Sequence, residues 1–388
     1  MKRMDSRERV LAALDHREPD RVPIDLGGAV VTSITVRPYV ALRERLGLPA
    51  ETLRILDVIQ QLPYLSDDVL DRLGVDTRMV QLPPRVTPGT EIFDDGDYRA
   101  FIDRWGAKLR MPKEGGFYFD YVEPAIRRLA TEALDAYAWP EPDPSGTYDE
   151  LAEIARRLYH GTDHVLMGAG GLVGEGIFEQ GCRLAGMEEF MMALASDEPL
   201  AESVLERITE MYEASIVQYL EAVGPYLHVY QYGDDVSTQD GWMISPDTYA
   251  RLIKPRQRRL VEAVKKHSNA KFMFHCCGAA SGLYPHLVDI GVDIVNPVQV
   301  SARGMDTARL KREFGRDLVF WGGGVDTQRV LPFGTPDEVR DEVRRRIDDL
   351  APGGGFVFAA VHNIQAMVPP ENIVAAYETA AEYGRYGA

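Results

Sequence analysis

The chain has 388 residues, with 43 Lys and Arg against 60 Asp and Glu, a net charge of −17, and three cysteines. So acidic a chain repels phosphate backbones, which argues against nucleic acid as a partner. No apolar run of about 18 residues signals a membrane span, and three cysteines are too few for a disulfide framework and fit a reducing compartment.

In chain order, Met1-Lys-Arg-Met-Asp-Ser-Arg-Glu-Arg9 leads straight into an amphipathic helix pattern. It has no signal-peptide core, so the cytoplasm is the expected compartment. Strand-like segments follow at Val22–Gly28, Asp76–Leu82, His164–Gly170, Leu227–Asp235, Lys271–Gly278, Val292–Pro297, Leu318–Gly324 and Gly355–His362. Helical patterns separate the later ones. They cover Thr147–Tyr159, Asp197–Ala222, a start at Ser245-Pro246, Ser281–Ile290, Thr307–Phe314, Thr335–Asp349 and Pro370–Tyr383. Ser245 and Thr335 are cap residues followed by Pro at the first helical position, a strong start signal. Residues from about 29 to 150 are less regular and rich in Pro and aromatics, as at Gly115–Phe119 and Trp139–Pro144. They read as a lid or barrel decoration.

Eight strands alternating with helices imply parallel pairing and a (β/α)8 TIM barrel, taken as a single domain over residues 1–388. A doubly wound sheet with a separate N-terminal domain is the alternative. It would want a dinucleotide fingerprint, and Gly322-Gly-Gly324 lacks the spacing.

A barrel carries its active site at the carboxyl ends of its strands. Polar residues recur there: Asp234 and Asp235, then His275 and Cys277, Asn296, Asp326 and His362. Any one of them alone reads better as a cap or turn residue. Their recurrence at the same end of successive strands points to a site. In the run Lys271-Phe-Met-Phe-His-Cys-Cys-Gly278, period-two alternation sends His275 and Cys277 to one face and Cys276 to the other. An imidazole and a thiolate converging at a strand end supply two legs of a tetrahedral zinc site, and a catalytic site needs one more protein ligand and an open position. The plainer reading is a buried cysteine pair beside a hydrogen-bonded histidine. The same alternation favours Asp235 over Asp234 as the inward residue. Asp234, Asp235, Asn296 and Asp326 are the candidates for proton handling or substrate anchoring.

The ordered motifs Ser6-Arg-Glu-Arg-Val-Leu-Ala-Ala-Leu14 with Glu18-Pro-Asp-Arg-Val-Pro23, Gly233-Asp-Asp235 with Ser245-Pro246, and His275-x-Cys277-Gly278 carry a family resemblance. So do Gly291-Val-Asp-Ile-Val-Asn-Pro297, Gly323-Gly-Val-Asp326, Gly334-Thr-Pro-Asp-Glu-Val339, Gly353-Gly-Gly-Phe356 and Val368-Pro-Pro-Glu-Asn372. They resemble the uroporphyrinogen decarboxylase superfamily over nearly the whole chain, and more particularly its corrinoid-dependent methyltransferase branch. The resemblance implies a (β/α)8 barrel. In the branch's thiol-methylating members a His-x-Cys and a later Cys hold zinc, which lowers the pKa of the acceptor thiol for attack on methylcobalamin. His275 and Cys277 match the first two positions. His362 stands where the later Cys would be, which leaves a chemically reasonable His–Cys–His set but weakens the case for a thiol acceptor.

Other members of the branch move methyl groups to or from tetrahydrofolate with polar side chains and no metal. The true decarboxylases carry an Arg-rich segment resembling Met-Arg-Gln-Ala-Gly-Arg that grips substrate carboxylates. Here Ile24-Asp-Leu-Gly-Gly-Ala29 occupies that region without arginines, so the anion clamp is missing. No Asp-x-His-x-x-Gly setting for corrinoid ligation occurs, so methylcobalamin is expected on a partner corrinoid protein. A non-catalytic barrel binding a small ligand is the remaining alternative.

Overall fold

The computed structural model describes residues 3–83, 91–141, 147–170 and 176–387. Seven parallel strands run in the order Thr77–Met79, Val165–Gly168, Val229–Gly233, Lys271–His275, Ile294–Asn296, Val319–Trp321 and Phe356–Val357, each beside the next in sequence. The ring closes through the segment 22–26. On one side the Asp25 amide donates to Phe358 O and the Phe358 amide to Pro23 O, both at 2.8 Å. On the other, the Asp76 amide donates to Ile24 O at 2.8 Å. The eighth strand expected at Val22–Gly28 is thus a single bridged residue, Ile24. Pro23 contributes no N–H and Gly27 turns the backbone to φ +72°, so no longer ladder forms.

Alternation along the strands builds two layers. Val165, Met167, Val229, Met273, Ile294, Val319, Trp321 and Val357 fill the barrel interior. Leu166, Tyr230, Tyr232, Phe272, Phe274, Val295, Phe320 and Phe356 face outward against the helices. The helix Ser6–Leu14 is started by a reciprocal Asp5–Glu8 capping box. Val10 and Leu14, one turn apart, join the interior cluster from below and plug the barrel. Under this plug, Asp76 is fully buried and accepts from Arg9 Nη1, Arg21 Nη1 and Nη2, Ser6 Oγ and the Ile24 amide, all within 3.0 Å.

The expected irregularity of residues 29 to 150 needs correction. Besides the Thr77–Met79 barrel strand, this stretch holds an antiparallel sheet of Phe93–Asp95, Tyr98–Ile102, Lys108–Pro112 and Asp120–Glu123. Phe101, Leu109, Met111 and Phe119 form its own small core, packed against Val58 and Ile59 beyond the Ile55–Asp57 strand. Pro142 to Pro144 of the proline run lie outside the described residues. Among the described residues no helix is long and apolar enough to cross a membrane.

Candidate metal centre

His275 is the last residue of its strand, paired in register with Gly233 and Asn296 on the neighbouring strands. Its Nδ1 lies 2.6 Å from Asn296 Oδ1. The amide nitrogen of Asn296 donates to Trp321 O at 2.9 Å, which fixes the oxygen toward the imidazole. Nδ1 is therefore the protonated nitrogen, and Nε2 presents a lone pair. That Nε2 sits 3.4 Å from Cys277 Sγ. The His362 ring stands edge-on to His275, with ring centres 5.6 Å apart. One donor atom from each of His275, Cys277 and His362 falls within 4.8 Å of the other two.

These residues fit a zinc ion. Bonds of 2.0–2.3 Å place tetrahedral donors about 3.3–3.7 Å apart, the separation His275 and Cys277 already have. Two imidazoles and one thiolate leave the fourth position open, as a catalytic site requires. Burial pushes the Cys277 thiol well above its ordinary range, and the Asp235 carboxylate adds to the effect. Burial, with the neighbouring His275, lowers His362 to about 3. Metal capture must then expel a proton from Cys277 but none from His362. Zinc affinity should rise about tenfold per pH unit between about pH 7 and 9, one proton leaving per ion bound. Chelator competition at a series of pH values measures this, and a pH-independent affinity would show that Cys277 is not a ligand.

The acid pair divides as its alternation requires. Asp235 faces the cluster: its Oδ1 accepts the Cys277 amide at 2.7 Å. Asp234 points the other way and is fully buried. It accepts from the Phe178 and Glu179 amides, Tyr232 Oη and Gln257 Nε2, capping the helix Ile177–Ala185. Burial, then the Glu179 charge, raise its carboxyl to about 7, and the four donors oppose that penalty. Asp326 holds a turn, accepting the Gln328 amide at 2.8 Å. The structure thus joins His275, Cys277, His362, Asn296 and Asp235, while Asp234 caps a helix on the other face and Asp326 holds a turn.

Glu179 was not legible in the sequence. Its Oε2 accepts the Asp235 amide at 3.0 Å, and burial followed by the Asp235 charge raises its pKa. It sits in the helix Ile177–Ala185, whose helix-like pattern around Cys182 gives no sign that Glu179 turns toward Asp235.

His362 also lines a cavity of about 290 Å³ with Gln60, Tyr118, Tyr121, Arg183 and Gln365. Tyr121 of the antiparallel sheet and Gln60 of the preceding turn thus share this cavity with His362. Asn363 ties the parts together, accepting the Ser33 amide and donating to Gln60 Oε1 at 2.8 Å. A larger cleft, about 1220 Å³, opens at the opposite end of the barrel around Arg9, Arg21 and Asp76. It is built on the buried ion network and lies away from the cluster.

Fold and site define a (β/α)8 barrel with two histidines and a cysteine gathered at the carboxyl ends of its strands in a group that could hold a metal ion. The chain belongs to the uroporphyrinogen decarboxylase (URO-D) family, whose model matches residues 102–383. A curated uroporphyrinogen decarboxylase of Parasynechococcus marenigrum is 29% identical over 186 residues, 46% of this chain and 47% of that protein. One of Trichodesmium erythraeum is 28% identical over 179 residues, covering 45% and 48%. The chain thus spans about half the length of the curated relatives it matches. Among solved structures, a methyltransferase from Methanosarcina mazei superposes with a TM-score of 0.64, covering 98% of this chain and 99% of that one at 18% identity. That likeness shows a shared fold.

Proposed function

We propose that this protein is a methyltransferase moving a methyl group between a corrinoid protein and a small acceptor of the thiol or tetrahydrofolate class, assisted by zinc. The observation that carries the reading is the convergence of His275, Cys277 and His362 beside a small cavity. At about 290 Å³ that cavity sits at the lower limit of ligand pockets, roughly 300–1,000 Å³, and suits a small molecule rather than a tetrapyrrole. When bound, zinc would lower the pKa of an acceptor group and hold it as a nucleophile. Asn296 keeps His275 in the tautomer that offers Nε2. His362 presents its ring at the cavity wall, which Tyr118 and Tyr121 share. The methyl donor would dock at the strand ends on its own protein, in keeping with the missing corrinoid motif.

The test is methyl transfer from methylcobalamin to a panel of thiols and to tetrahydrofolate, with and without added zinc. A zinc-dependent product supports the reading, and no transfer to or from any of them would defeat it. In parallel, uroporphyrinogen supplied anaerobically should not lose carboxyl groups. Arg183 is the one cation among the described residues lining the cavity, too little for a highly carboxylated substrate. Decarboxylation at rates ordinary for an enzyme would reverse the ranking.

A further inference from the structure

We infer that Asp235, Ser237 and Gln299 are positioning residues that form a cradle around the Cys277–Gly278 backbone and so aim the Cys277 sulfur at His275. The inference rests on the metal-site reading above and specifies how that site is pre-organised. The barrel ladder ends at Cys276, whose amide donates to Asn296 O at 2.8 Å. From there the chain leaves the sheet while still enclosed, and its polar groups need other partners. Side chains supply them. The Cys277 amide donates to Asp235 Oδ1 at 2.7 Å, Ser237 Oγ donates to Cys277 O at 2.5 Å, and the Gly278 amide donates to Gln299 Oε1 at 2.6 Å. Ser237 and Gln299 are themselves buried, and Glu179 Oε2 anchors Asp235 through its amide.

Gly278 completes the arrangement. Its φ is +92° and a Cβ there would fall 2.4 Å from Thr238 O, so the turn has little room to relax. Each hydrogen bond removes a rotation that would swing the sulfur off its line to His275 Nε2. Pre-organisation of this kind spares the metal the ordering of its own ligand. In this arrangement Asp235 is needed as an acceptor at one atom, Oδ1, and an asparagine carbonyl serves equally well.

Two measurements on the full chain test this, neither depending on turnover. One is zinc affinity by chelator competition, with cobalt substitution reporting the thiolate-to-metal absorption band. The other is the alkylation rate of Cys277 by iodoacetamide in metal-free protein. Asp235→Ala and Gln299→Ala should each weaken zinc about 10- to 100-fold, and Gln299→Ala, which alters no charge, should speed alkylation by about tenfold, since a freed turn exposes the thiol. Asp235→Asn should keep zinc affinity within about threefold of the parent, because its Oδ1 still accepts the amide. Its alkylation rate is not a readout of the turn, since losing the carboxylate charge beside the thiol changes that rate by itself. Melting curves identify a variant that has not folded, and Ser237→Ala then supplies an independent arm.

The cradle is overturned if Asp235→Ala matches the parent in zinc affinity, or if Gln299→Ala matches it in alkylation rate. It is overturned equally if Asp235→Asn is as impaired as Asp235→Ala, since charge and not acceptor geometry would then matter. A parent that binds no zinc would remove the metal reading, and the alkylation rates would still decide the cradle.

Discussion

Replacing Cys277 with serine should empty the protein of zinc. The parent should purify with about one zinc per chain, measurable by mass spectrometry of the metal. In the variant the two imidazoles remain, but a neutral serine hydroxyl is a poor ligand and supplies no thiolate charge. Zinc affinity should fall by at least about 10²-fold, with methyl transfer falling in parallel. Cys276→Ser is the control. Cys276 contacts Ser237 Oγ at 3.5 Å, on the side away from His275, and is buried in the outer apolar cluster. Its replacement should leave the metal in place. Equal zinc content in the parent and Cys277→Ser would end the metal reading.

The second large effect concerns the barrel floor. Asp76→Ala should destabilise the fold by about 3–5 kcal/mol, because it strips the counter-charge from two enclosed guanidiniums. Arg9, 6% exposed, would keep only Asp20. Arg21 would lose its ion pair with Asp76, and the Ile24 amide would lose its acceptor at the seam of the ring. A urea melt gives the value, and a loss under about 1 kcal/mol would show that the network contributes no more than exposed pairs do. Zinc content in the folded fraction should be unchanged, since the two clusters sit at opposite ends of the strands.

How much of this could be read from the sequence depended on periodicity. The strand at Lys271–His275 was legible because four strand-forming residues precede a His-x-Cys, and period two fixed which cysteine shares a face with His275. The same parity separated Asp235 from Asp234. Helices such as Thr307–Phe314 and Pro370–Tyr383 fall where caps and prolines placed them. The antiparallel sheet was missed although Lys108-Leu-Arg-Met-Pro112 alternates. Its strands are three to five residues long, and its core forms only against the turn near Ile59, which is remote in sequence. Glu179, Ser237 and Gln299 were invisible for another reason. Their importance lies in backbone groups they meet across loops, and no spacing rule encodes that.

The closing seam sets a timetable for assembly. Segment 22–26 pairs with Phe358, and Ser33 with Asn363, 330 positions away in sequence. During synthesis the ring therefore stays open until residues 356–364 have left the ribosome. Until then both borders of the nascent sheet expose unpaired strand edges, a state prone to wrong partners. His362 arrives with that final segment, so the three proposed ligands come together only when the ring shuts. A chain stopped short of it would offer metal just His275 and Cys277, and zinc retention would then report on completed closure.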